Sequence, residues 1–221
     1  MTFVLMRRVG LAVILTLFLA VTALSVWYGG SAAWSDVVSL QTRWQIDQWR
    51  NGKGPAYSLA RWEEYRSSLL AALRISPDNA QLHEDLGYLY TLGAQTLSSA
   101  EPGTRTYITR QNLLSQAIAS YEIACKLRPT FPYSWVHLAF SQHLRGVALL
   151  ELLPAFDKAM QYGRTESDVR TPLALIAFAH WTNLDSGRKQ KVVSMVTSAP
   201  KSAQKALRKL AADHSVDLPA I

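Results

Sequence analysis

The first long feature in the pattern of apolar and polar positions is an uncharged run from Val9 to Tyr28, preceded by Arg7 and Arg8. Its twenty residues, rising about 1.5 Å each, reach roughly 30 Å, the thickness of a bilayer's hydrocarbon core. Trp27, Tyr28 and Trp34 stand where an interfacial aromatic belt would lie. From Trp34 to Arg50 polar residues interrupt the pattern at helical spacing. Val38, Ile46 and the tryptophans are expected on one side of that helix, and Asn51-Gly52-Lys53-Gly54-Pro55 breaks it. A further helix is expected from about Tyr57 to Ile75, because Trp62, Tyr65, Leu69, Ala72 and Leu73 recur at three- and four-residue steps.

Between Pro77 and Pro129 two helix faces complement each other. His83, Leu86, Gly87 and Tyr90 give the first a large, medium, small and large residue, and Ala117, Tyr121 and Ala124 give the second its packing partners. Gly87 and Ala117 are expected to let the backbones approach while Tyr90 and Tyr121 fill the space beside them. After Pro129 the pattern restarts: Trp135, Leu138 and Ala139 take the slots of His83, Leu86 and Gly87, and Phe156 and Ala159 answer Tyr121 and Ala124, with Arg164 where proline is expected. A weaker unit starts a helix at Thr171-Pro172 and runs it through Trp181. It turns at Asp185-Ser186-Gly187 and returns from about Arg188 to Thr197, before a closing helix from Lys201 to Asp213. Leu69, Ala72 and Pro77 copy the spacing of Tyr121, Ala124 and Pro129, which suggests an earlier, degenerate unit.

This succession resembles tetratricopeptide (TPR) repeats, whose period is about 34 residues. The central unit is longer, 52 residues from Pro77 to Pro129, and the excess falls near Thr96 to Thr109, as a surface loop or as longer helices. The expected fold is all-α: an N-terminal anchor over residues 1–33, a TPR-like solenoid over 34–199, and a basic capping helix and tail over 200–221. The resemblance implies a concave groove lined by each first helix, and places Gln81, Glu84, Tyr88, Thr91, Tyr133, Val136, Phe140 and His143 on it. The polar clamp of chaperone-binding TPR domains needs Lys and Asn where this chain has Glu84, Tyr88, Val136 and Phe140, so that activity is not expected. The single anchor, the tryptophan-containing first helix, the segment Leu73-Arg74-Ile75-Ser76-Pro77-Asp78-Asn79-Ala80 leading into Leu86-Gly87-Tyr88-Leu89-Tyr90, and the central insertion together resemble the VpsP-type family of bacterial polysaccharide-biosynthesis proteins. That resemblance implies an accessory membrane protein of exopolysaccharide assembly whose partners are proteins of the same system. A direct carbohydrate-binding component of that system, and an assembly adaptor for another envelope machine such as pili or cytochrome maturation, are the alternatives.

Charge changes the picture at two places. Arg7 and Arg8 precede the apolar run and no basic residue follows it until Arg43, so the positive-inside rule puts the N-terminus in the cytoplasm and the rest in the periplasm. A cleaved signal peptide competes, with small residues at Ser31-Ala32-Ala33, but the apolar run exceeds a signal sequence's usual core and favours an uncleaved anchor. The net charge of +7 is concentrated at the C-terminus: residues 188–221 hold 7 basic and 2 acidic residues, against 16 and 14 in the rest. Arg188, Lys189, Lys191, Lys201, Lys205, Arg208 and Lys209 form this basic patch, read either as a solvated face or as attraction to anionic lipid or acidic polysaccharide. Nucleic acid is not expected as a partner, given the topology.

Catalytic patterns are scarce. No two of the five histidines stand three or four apart, and no phosphate-binding loop or nucleophile elbow occurs. Glu63-Glu64 and Glu84-Asp85 read as solvated faces, because neighbours on a helix diverge by about 100°. The single Cys125 reads as a small packing residue. No enzyme activity, metal or cofactor is expected.

Overall fold

The computed structural model describes residues 2–53 and 57–219, with side chains from Val13 onward. Pro55, expected to end the first helical stretch, lies outside the described residues, as do the side chains of Arg7 and Arg8. Among the described residues the regular structure is nine α-helices and one 3-10 turn. The chain divides into two compact units, residues 1–78 and 79–221.

The first unit holds α1 (Thr2–Arg50) and α2 (Leu59–Ile75). The separate helix expected from Trp34 does not form, because α1 is one uninterrupted helix of 49 residues. No proline lies within it, and the cost of Gly29 and Gly30, about 1 kcal/mol each relative to alanine, is small beside so long a helix. Its apolar part is long enough to cross a membrane and close enough to the N-terminus to be a signal sequence. The later part packs on α2. Ser35 Oγ donates to the Ala72 carbonyl at 3.1 Å, Ser68 Oγ to the Val38 carbonyl at 2.8 Å, and Trp49 meets Tyr65 edge-on at 5.6 Å. Trp34 and Trp44 do not share one side with Ile46, whereas Trp49, three residues on, does. Ile46 is fully buried whereas Trp34 and Trp44 are each 60% exposed, since positions two apart on a helix diverge by about 200°.

The second unit runs through α3 (Ala80–Gln95), α4 (Arg105–Leu127), α5 (Pro132–Arg145), α6 (Leu149–Gly163), α7 (Ser167–Ala179), α8 (Ser186–Thr197) and α9 (Lys201–Asp213). Asn79, Thr104 and Asp185 cap α3, α4 and α8 by accepting backbone N–H groups of the first turn. Gly146, at φ +80°, closes α5, and the Val147 N–H bonds back to the Gln142 carbonyl at 3.0 Å. Each helix packs on the next, and α3 also touches α5, α5 touches α7, and α7 touches α9. The excess length of the central unit is shared between a connector, residues 96–104, and a 23-residue α4. α7 begins at Ser167, with Pro172 inside it, and not at Thr171-Pro172. Val169, fully buried, draws the helix start back by a turn.

The expected fit between α3 and α4 is present. Ala117, Tyr121 and Tyr90 are buried, and a Cβ added at Gly87 would lie 2.8 Å from the Tyr121 ring.

Candidate functional site

The residues expected to line a groove divide into two sets. Val136 is fully enclosed and cannot reach a ligand in this structure; Glu84 and Thr91 are buried in the seam between α3 and its neighbours. Glu84 Oε2 accepts from Arg128 at 2.6 Å and from Ser134 Oγ at 3.0 Å, while Thr91 Oγ1 lies 3.0 Å from Ser141 Oγ. Glu84 and Asp85 are therefore not a solvated face. Gln81 Nε2 donates to Asp85 Oδ1 at 3.0 Å, and Gln81 Oε1 faces Arg128. Burial is tolerated because each carboxylate is held by donors. Glu63 and Glu64 are exposed as expected.

The second set stays at the surface. Gln81, Tyr88, Tyr133, Phe140 and His143 are half-buried. Tyr133 packs on Phe131 at 5.1 Å between ring centres and donates its hydroxyl to Glu166 Oε2 at 3.2 Å. Partial desolvation and then this bond raise the Tyr133 hydroxyl above its ordinary range. Arg128 lies 4.0 Å over the Phe131 ring, so one guanidinium serves both the buried Glu84 and this aromatic pair.

His143 meets a residue that the sequence pattern did not single out as a partner. Its Nδ1 lies 3.1 Å from Nε2 of His180, just beyond the end of α7. Burial and the nearby His180 and His214 lower its pKa. The two histidines are 37 residues apart, two more than the 35 that separate the starts of α5 and α7, so aligning those helices sets His143 opposite Phe178 and does not reveal the pair. Among the described residues no cluster of three or more His, Cys, Asp or Glu could hold a metal ion. Cys125 is buried as expected, and burial, then Glu84 and Glu122, push its thiol up to about 12.

The basic patch is less uniform than its sequence suggests. Arg188 is a structural link: it donates to Asp157 at 2.5 and 2.9 Å and pairs with Asp185, joining α8 to α6. Lys189 lies 5.8 Å over the Trp181 ring, Arg208 donates to the Pro219 carbonyl at 2.8 Å, and Lys209 pairs with Asp213 at 3.5 Å. Lys191, Lys201 and Lys205 are exposed. On α9, Lys201, Lys205 and Lys209 recur every four residues, opposite the buried Leu207 and Ala211.

Comparison with protein-family models, curated proteins and solved structures finds no match to this chain.

Proposed function

We propose that the chain is a membrane-anchored TPR-like scaffold that serves bacterial exopolysaccharide biosynthesis or export by holding protein partners. In this reading the anchor is uncleaved, the N-terminus is cytoplasmic, and the helical array works in the periplasm. The observation that carries the reading is the row of alternate helices, α3 to α5 to α7 to α9, in which each touches the next. That is the neighbour pattern by which stacked helix pairs build a solenoid with one continuous face. Gln81 and Tyr88 on α3, and Tyr133 and Phe140 on α5, lie seven residues apart and stay half-buried, so a partner segment would meet two aromatic-and-polar rows. The polysaccharide assignment rests on the resemblance of the anchor, the repeat junction and the central insertion to the VpsP-type family.

The test is deletion of the gene in the source organism, with full-length and anchorless chains added back and extracellular polysaccharide measured. Loss restored only by the anchored chain is expected. Unchanged polysaccharide would sink the assignment. Saturable binding of acidic polysaccharide by the purified helical region, lost in Tyr88→Ala and Tyr133→Ala, would move the role from scaffold to direct carbohydrate binding.

A further inference from the structure

The face of α1 turned away from α2 has an inverted character. Against α2 the helix buries Ser35, Ser39, Thr42 and Gln45 beside the single apolar Ile46, whereas Trp34, Val37, Leu40 and Trp44 are all 60% or more exposed. Val37, Leu40 and Trp44 belong to a longer seam, which Trp34 flanks. Val26, Gly30, Ala33, Val37, Leu40 and Trp44 follow one another in alternating steps of four and three, and the same steps reach back through Ala23 to Leu19. All six are exposed.

Three properties of the seam identify what covers it. Lipid cannot cover the far end: Trp44 lies sixteen residues past Tyr28, about 24 Å along the helix, whereas the headgroup layer adds only about 5–8 Å to each side of the hydrocarbon. Alternating steps of four and three average 3.5 residues, slightly under the helix's own period. Such a seam stays in contact only with another helix around which it supercoils, and a parallel copy presents the same seam in register. The size also fits, because Val37, Leu40 and Trp44 on the seam, with Trp34 flanking it, together expose on the order of 500 Å² per chain, so two copies would bring together at most about 1,000 Å², the lower bound of a stable interface. In the apolar part, Ala23, Gly30 and Ala33 leave room for close approach.

We infer that α1 pairs in parallel with α1 of a second copy of this chain, making the anchor a left-handed two-helix coil that continues past the membrane surface. The inference rests on retention of the anchor, as proposed above.

The experiment is cysteine crosslinking in membranes of the full-length chain bearing an N-terminal epitope, with the buried Cys125 left in place. Gly30→Cys, Ala33→Cys, Val37→Cys and Leu40→Cys are expected to give a dominant disulfide-linked dimer on mild oxidation, since seam positions of a parallel pair fall within the roughly 4.4–6.8 Å that a disulfide spans. Leu24→Cys, Tyr28→Cys and Ala32→Cys, exposed but off the seam, are expected to stay near background. Loss of the epitope from the mature chain would overturn the anchor reading and the pairing with it. A retained epitope with seam and off-seam positions crosslinking alike, with the seam joined to a different protein, or with only monomer, would overturn the pairing alone.

Discussion

At the scale of single residues, the most constrained position is Gly87. The Tyr121 ring beneath it is 1% exposed, and the 2.8 Å approach leaves no room for a methyl group. Gly87→Ala is therefore expected to lower stability by about 1–2 kcal/mol, because overpacking outweighs the gain of up to about 1 kcal/mol in helix propensity. Urea denaturation of the purified helical region checks this; a variant as stable as the parent would refute the packing argument. The small-against-aromatic fit was legible in the sequence because it depends on residue size at helical spacing. The roles of Glu84 and Thr91 were not, because slot assignment treats a polar residue on a first helix as outward-facing. Here Arg128, Ser134 and Ser141 supply partners from 44 to 50 residues away, and no local pattern encodes that pairing.

At the scale of elements, the contact between the ends of α5 and α7 is set by His143 and His180, 3.1 Å apart. His143 is partly buried and its pKa is lowered from 6.5, by burial first and by His180 and His214 next. A histidine lowered in the folded state binds its proton more readily when unfolded, so its contribution to stability is intact above about pH 6.5 and is lost as the pH falls from there through its folded pKa. The melting temperature of the helical region is expected to drop across that acidic window, and His143→Gln is expected to flatten the drop. A parallel shift of both curves at all pH values would assign the effect to other groups. Helix limits set by a capping side chain, as at Asp185, or by a proline, as at Pro200, were readable in advance. Asp185 starts α8 where the Asp-Ser-Gly turn was expected, and α9 spans Lys201–Asp213 as expected. A limit set by tertiary burial was not, as the early start of α7 at Ser167 shows, and the continuity of α1 through Trp34 was missed because nothing local breaks the helix there.

At the scale of the whole molecule, the repeat pattern reads straight through Pro77, yet the compact units divide at 78 and 79. Periodicity reveals which residues of a helix face inward; it does not reveal which helices share a core. Residues 79–221 enclose Leu82, Leu89, Leu114, Tyr121, Phe156, Leu173, Ile176 and Met195, each less than 2% exposed. The helices around them are tied by the Arg188–Asp157 pair and the Glu84–Arg128–Ser134 set. A helical domain of that length buries about two-thirds of the surface of its unfolded chain, enough for independent stability. Residues 79–221 expressed alone are therefore expected to be monomeric, strongly helical by circular dichroism, and to melt in one cooperative transition. A gradual, sloping melt would mean that the array needs the preceding unit to complete its core. A cooperative melt would make α1 and α2 a separate module, as the proposed anchoring and pairing require, whose removal leaves residues 79–221 folded.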